Sequence, residues 1–244
     1  MQEKEWFAEW FDTPYYHVLY KDRNDDEAAM FIQNLISFLE LPINSSVLDL
    51  ACGKGRHSFT LSELGYNVTG VDLSESSINA ARKYSKEGLK FAVQDMREPI
   101  SGPKFEAVFN LFTSFGYFDD LSDNQKVIDA IYEMLVPDGI LVIDFMNAER
   151  VVNHLVREEF KRIDGIEFHI KRNYDGQHIF KSIDFEDDNK NYSFTERVQA
   201  LKKSDFEAML ELHGFKIIRT FGNFDLRSFD EKTSDRLIII AKKS

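Results

Sequence analysis

Val47-Leu48-Asp49-Leu50-Ala51-Cys52-Gly53-Lys54-Gly55-Arg56-His57 is the stretch on which the reading of this chain turns. An apolar run of strand length, Ser46 to Leu50, enters a turn containing two glycines. A helical pattern then starts at His57 and runs to Leu64, where Gly65 closes it. Glycine lets the backbone pass close to a ligand, and the first turn of a helix offers unpaired N–H groups to an anion. Taken alone, the turn is equally a plain strand-to-helix connection that holds nothing.

Working outward from that turn, the pattern alternates between helix and strand. Upstream, Asp25 to Leu39 places Ala28, Phe31, Ile32, Leu35 and Ile36 on one helical face, and Pro42 ends it. Downstream, Asn67 to Val71 reads as a second strand, followed by a helix capped by Ser74 that runs through Tyr84 to Gly88. Leu89 to Val93 and Ala107 to Leu111 are the third and fourth strands. Asp123 to Leu135 is a helix, Pro137-Asp138-Gly139 a turn, and Ile140 to Phe145 the fifth strand. Strands that alternate with helices in this way make a parallel sheet covered on both faces, a doubly wound, Rossmann-like α/β fold.

The rhythm changes after residue 148. A short helix, Ala148 to Val156, leads into strand-like segments near 159–172, 177–187 and 191–201. Turn signals at Asp164-Gly165, Asp175-Gly176 and Asp188-Asn189 punctuate them. This is an antiparallel meander inserted into the α/β pattern. Ser204 with Glu207 then predicts a capping box for a helix ending at Gly214. Phe215 to Thr220 and Arg236 to Ala241 are joined by a loop too short for a crossover helix, so they are expected to be antiparallel. The expected organisation is thus an α/β core over 1–148, an insertion over 149–203, and completion of the seven-stranded core over 204–244.

Two acidic residues sharpen the reading of the glycine turn. Asp72 ends the second strand at its carboxyl edge, where a carboxylate accepts hydrogen bonds from both hydroxyls of a ribose. Asp95, at the end of the third strand, is placed to take the exocyclic amine of adenine, or to serve as a turn residue or helix cap. A dinucleotide-binding turn wants a third glycine where Ser58 stands, which disfavours a nicotinamide-dependent oxidoreductase. S-adenosylmethionine (AdoMet) needs ribose and adenine contacts without a pyrophosphate cradle.

The runs VLDLACGKGRHS (47–58), GVDLS (70–74) and QDM (94–96) together resemble the first three motifs of the class I AdoMet-dependent methyltransferases, of the small-molecule type. The similarity covers roughly 30–148 well and 204–242 in outline, and the antiparallel final hairpin is a hallmark of that family's sheet. Carried over residue by residue, the resemblance implies that Asp49 organises the glycine loop, with Cys52 and Gly55 in the same loop. Ala51 and Gly53 are implied to face the methionine part of AdoMet. Asp72 and Leu73 are implied at the ribose, Asp95 and Met96 at the adenine, and Asn110, Leu111, Phe112 and Thr113 beside the sulfonium. Many members carry glycine where this chain has Ala51. A non-catalytic AdoMet-binding or sensor protein would carry the same motifs.

For the methyl acceptor the chain offers three sources of contacts. The N-terminal aromatic stretch supplies Tyr16, His17 and Tyr20, which either line the site or only pack on the sheet. The edge of strands four and five supplies Phe112, Phe115, Tyr117, Phe145 and Asn147. The insertion supplies His169, Arg172 and Arg197, although a lone strand histidine is more often structural, and Arg197 has many acidic residues to pair with. His169, Tyr16 and Tyr20 are the candidate catalytic groups. The insertion is expected to cap the acceptor or to form a homodimer contact, with Phe168 and Ile170 alternating against His169 and Lys171, and Ile179 against Lys181.

Bulk composition narrows the partners. A net charge of −12 disfavours a phosphate backbone, so nucleic acid is not expected and a small-molecule acceptor is. The single cysteine, Cys52, fits a reducing compartment. The N-terminus is charged and aromatic rather than signal-like, and no stretch has the ~18 apolar residues of a membrane span. A cytoplasmic, unprocessed chain is therefore expected. Six scattered histidines show no metal-site spacing, and no metal is expected.

Overall fold

The computed structural model describes residues 10–21, 25–118 and 120–244. The start of the N-terminal region assigned to the core, residues 1–9, lies outside them. Strands β1 (Ser46–Leu50), β2 (Asn67–Asp72), β3 (Leu89–Val93), β4 (Phe105–Asn110), β5 (Leu135–Met146), β10 (Phe215–Phe221) and β11 (Arg236–Lys243) form one seven-stranded sheet. Its order is β10-β11-β5-β4-β1-β2-β3. Only β11 runs antiparallel to its neighbours, pairing with β5 on one side and β10 on the other. A second sheet, in the order β6-β7-β8-β9, is wholly antiparallel: Glu158–Ile163, Ile166–Tyr174, His178–Asp187 and Lys190–Gln199.

The apolar runs of the large sheet are continuous because both faces are covered. Leu48, Leu50, Val108, Leu141, Ile143 and Leu237 point to one side, against Val127 and Ile131 of a helix over Leu121–Met134 and Phe206 of a helix over Lys203–Leu212. Val47, Val68, Phe109, Val142 and Ile238 point to the other, against helices over Asp25–Leu39, Arg56–Glu63 and Glu75–Ala81. In chain order these helices and two short ones are α1 (Pro14–Leu19), α2 (Asp25–Leu39), α3 (Arg56–Glu63), α4 (Glu75–Ala81), α5 (Leu121–Met134), α6 (Ala148–Asn153) and α7 (Lys203–Leu212). A third apolar cluster lies under the small sheet, where Trp10 and Leu19 of the N-terminal segment meet Phe168, Ile170, Ile183 and Phe185.

Several local expectations change. The Pro137-Asp138-Gly139 turn is embedded in β5: Leu135 already pairs with Phe105, and the register then jumps to Ile140 opposite Ala107. Asp138 takes the left-handed conformation (φ 63°) inside this bulge. The cap of α7 sits at Lys202, whose N–H donates to Asp205 Oδ2 at 2.7 Å, rather than at Ser204 with Glu207. Asp164-Gly165 splits the first inserted segment in two, giving four strands. Because side chains alternate with period two, Ile179, Lys181 and Ile183 share one face. Lys181 therefore lies on the covered side of the small sheet, not opposite Ile179.

Candidate active site

The carboxyl ends of β1 to β4 open into one cavity of about 500 Å³, the usual place for a ligand in a doubly wound sheet. The loop after β1 is shaped by three left-handed residues, Ala51 (φ 63°), Gly53 (φ 55°) and Gly55 (φ 81°). Gly55 must also be glycine for packing, since a Cβ there would stand 2.7 Å from Phe91 Cε1. Behind the loop, Asp49 is 1% exposed and its Oδ2 accepts the Ser58 hydroxyl at 2.5 Å. Ser58, at the expected third-glycine position, thus anchors α3 to β1. Burial raises the Asp49 carboxyl to about 6, against the pull of the Ser58 hydrogen bond.

Asp72 joins two elements. Its Oδ2 accepts Gly53 N–H at 2.8 Å and its Oδ1 accepts Ser74 N–H at 2.8 Å, so it holds the glycine loop and the start of α4 together. Each oxygen keeps a lone pair for a further donor. Burial raises this carboxyl too, while the backbone donors lower it. Burial and the charges of Asp49 and Asp72 push the Cys52 thiol well up, so it stays a protonated, inert thiol.

The cavity gathers Ala51, Cys52 and Gly53 from the loop, Asp72 and Leu73 after β2, Asp95 and Met96 after β3, and Leu111 and Phe112 after β4. Asp49, Gly55 and Asn110 stand behind this wall rather than in it. Asn110 is fully buried, its Nδ2 donating to Leu50 O at 3.2 Å. Asp95 is committed more heavily than its spacing implied. Arg97 engages both its oxygens, at 2.6 Å from Nη2 to Oδ2 and 2.9 Å from the backbone N–H to Oδ1, and also reaches Asp123 at 3.1 Å.

Of the acceptor candidates, Tyr16, His17, Tyr20, Phe112 and Tyr117 line the cavity. The others do not. Phe115 and Phe145 are core, packed on Phe206 at 5.5 and 5.3 Å. Asn147 is buried and donates to Glu231 O and Ser234 O, both at 2.8 Å, fixing the loop before β11. His169 stacks on Phe160 (4.3 Å, 9°) and bonds to Glu158 at 2.6 Å, in the neighbouring strand. Arg172 pairs with Glu159 and Arg197 is half-buried in β9, both outside the cavity wall. Tyr20 donates to Glu196 at 2.7 Å and receives a hydrogen bond from Lys181. Burial, and then the Glu196 charge, hold its phenol well above the ordinary range, so Tyr20 is a neutral hydroxyl and not a phenolate base.

Sequence reading passed over Asp144 and Arg236. Phe112 (φ 64°) and Thr113 (φ 59°) are consecutive left-handed residues in the cavity wall, a conformation costing about 1–2 kcal/mol each. Asp144, on β5, accepts Phe112 N–H at 2.8 Å through its carboxylate and Thr113 N–H at 2.9 Å through its carbonyl. Arg236 closes the arrangement, donating to Asp144 at 2.8 Å and to Thr113 Oγ1 at 2.9 Å. No local spacing announces this pair, because β5 and β11 meet only in the folded sheet. Among the described residues no helix is long and apolar enough to cross a membrane.

A family model described as "Methyltransferase domain" matches residues 43–221. The chain is 27% identical over 237 residues to a glycine/sarcosine N-methyltransferase of Aphanothece halophytica, covering 91% of this chain and 83% of that one. In structure it is similar to an S-adenosylmethionine-dependent methyltransferase from Clostridium acetobutylicum (TM-score 0.80, 21% identity, 94% and 96% of the two chains). It is also similar to an amino pentose methyltransferase of calicheamicin biosynthesis, from Micromonospora echinaspora, solved with AdoMet bound (TM-score 0.71, 19% identity, 95% and 98% covered). These similarities leave no room for the nicotinamide-dependent alternative. Matched to the family over well more than half its length, the chain belongs to the methyltransferase-domain family and is an S-adenosylmethionine-dependent methyltransferase.

Proposed function

We propose that the chain transfers the methyl group of AdoMet to the nitrogen of a small amine. The observation that carries this reading is the continuity of one cavity from the glycine loop, Asp72 and Met96 to the tyrosines of the N-terminal segment. Asp72 takes the ribose hydroxyls with its remaining lone pairs. Leu73 and Met96 flank the adenine, and Asp95, held by Arg97, fixes the turn that presents Met96. Ala51, Gly53 and the turn at Leu111 and Phe112 border the methionine part.

An amine is favoured over a hydroxyl on chemical grounds. A neutral amine carries its own lone pair and needs no base, whereas a hydroxyl benefits from one. Of the candidate catalytic groups, Tyr20 is locked as a neutral phenol and His169 is outside the cavity, while Tyr16 stays in its lining beside His17 and His57. For an amine, positioning and exclusion of water supply the catalysis without calling on them. Relatives whose names specify N-methylation of glycine, sarcosine and amino sugars support the same choice. Incubation with methyl-labelled AdoMet and matched panels of small amines, alcohols and thiols, read by mass spectrometry, tests it. Label appearing in alcohols or thiols but in no amine would overturn the acceptor assignment.

A further inference from the structure

The wall that the N-terminal segment contributes to the cavity is a run of four aromatic rings. Phe11, Tyr16 and Tyr20 come from residues 10–21, and Tyr117 from the loop after β4. Phe11 meets Tyr117 edge-on (5.3 Å, 90°) and Tyr16 at a tilt (4.9 Å, 59°), and Tyr16 meets Tyr20 in the same way (4.9 Å, 53°). Tilted rings of this kind offer a mixture of faces and edges, and the faces carry the negative end of the ring quadrupole. The Lys181 ammonium sits at the hydroxyl end of Tyr20, 4.4 Å from its ring centroid, and donates to that hydroxyl. Glu196, behind Tyr20, accepts the same hydroxyl and the Trp10 indole N–H at 2.7 Å, which fixes the ring in the wall. The basic side chains of the cavity stand at the cofactor end of its lining or at its rim. Lys54 and Arg56 belong to the glycine loop and the start of α3, with Arg56 over Phe112 at 4.9 Å; Lys83 lies over Tyr84 at 4.6 Å, and Lys21 pairs with Asp164.

We infer that this wall is a cation site that binds the acceptor as a small alkylammonium and still binds it after methylation, so that one nitrogen receives more than one methyl group. The inference rests on the amine reading above. In each transfer the bound ammonium first gives one proton to solvent. The amine lone pair then attacks the AdoMet methyl carbon, an N–C bond forms, and the C–S bond breaks with its electron pair left on sulfur. The positive charge passes from sulfur to nitrogen, where the ring faces stabilise it. A site built on N–H···O bonds loses a contact with every methyl added. A ring face needs no N–H, and binds even a quaternary ammonium.

The test uses the full chain saturated with S-adenosylhomocysteine (AdoHcy) and calorimetric titration with two probes of nearly the same shape, choline and its neutral isostere 3,3-dimethylbutan-1-ol. Choline is expected to bind roughly 2- to 30-fold more tightly, the ratio to which a cation–π contribution of about 0.5–2 kcal/mol converts. Tyr117→Leu is expected to shrink that ratio, and Tyr117→Phe to keep most of it. Equal binding of the two probes, or no binding of choline while AdoHcy binds, would overturn the cation site and leave the methyltransferase assignment standing. In the amine screen, products are expected to carry two or three added methyl groups. Amine products that stop at one would refute retention, whereas a failure to methylate any amine would instead strike the acceptor reading beneath it.

Discussion

Replacing Asp72 by alanine is expected to remove more than the proposed ribose partner. In the ligand-free protein its two oxygens each accept one backbone N–H, from Gly53 and from Ser74, both at 2.8 Å. Removing the side chain leaves both donors without a charged acceptor, a loss of about 1.5–3 kcal/mol apiece before any relief. Relief is substantial. Burial opposes the Asp72 charge and raises its carboxyl, so deleting it recovers desolvation, and the Gly53 N–H borders a cavity from which water can reach it. A net destabilisation of about 1–2 kcal/mol remains, a fall of a few degrees in melting temperature for a domain of this size. Weaker cofactor binding without loss of stability, the simplest reading of a surface carboxylate, is therefore not expected. Loss of two hydroxyl contacts to a carboxylate costs about 3–6 kcal/mol, or roughly 10²- to 10⁴-fold in affinity. Asp72→Asn keeps one acceptor oxygen and is expected to fall between. Thermal melting of the ligand-free protein and calorimetry with AdoHcy separate the two roles. An AdoHcy affinity within twofold of the parent in Asp72→Ala would refute the ribose contact, and a lowered melting temperature would then show that Asp72 only ties the loop.

Other perturbations test neighbouring parts of the site. Asp49 is ordinarily ionised above 3.8, and the fold raises it to about 6, so the native state binds the extra proton between those values. Stability from this group is then present below pH ~4 and lost as pH rises to ~6, about 3 kcal/mol in all; urea denaturation of Asp49→Asn against the parent is expected to show the variant gaining across that window, and a pH-independent difference would contradict it. Ala51→Gly relieves a left-handed alanine (φ 63°) and offsets the added chain entropy, so stability is expected to hold or rise by up to about 1 kcal/mol, measured by melting. Gly55→Ala is expected to cost at least about 2 kcal/mol by the same measurement, because its Cβ meets Phe91 at 2.7 Å at φ 81°. Asp144→Asn strands the Arg236 charge and is expected to cost about 3–5 kcal/mol in denaturant.

The parts of the site that were legible in the sequence are those built by chain neighbours. The glycine loop, Asp72 and Met96 each follow a strand by one to a few residues, so the alternation that predicts the strand also predicts the edge on which they stand. Asp95 was located by the same rule, but its occupation by Arg97 was not, because the rule gives position and not partners. Helix α2 matched its apolar periodicity end to end, whereas the turn at Pro137 disappeared into β5 because Leu135 finds Phe105 across the sheet. Three of the candidates that failed to reach the cavity share one cause. His169, Arg172 and Asn147 are polar groups whose nearest partners lie in adjacent strands or loops, and a polar side chain satisfied at short range has no need of a site.

The proposed acceptor side was the least legible because it is assembled across the whole chain. Asp12 accepts the Ser74 hydroxyl at 2.7 Å, two residues beyond Asp72, while Trp10 and Tyr20 bond to Glu196 on the small sheet. The small sheet is tied in turn to the loop after β4, where Gln199 N–H donates to Gly116 O at 2.8 Å and Gln199 Nε2 to Phe118 O at 3.0 Å. The aromatic wall is thus held from both ends, by the cofactor edge and by the inserted sheet. A change in the inserted sheet reaches Tyr16 and Tyr20 through Glu196, and it reaches Tyr117 through Gln199, without touching Asp72 or the glycine loop. On the proposed reading, that wiring lets acceptor preference diverge while the cofactor motifs stay fixed.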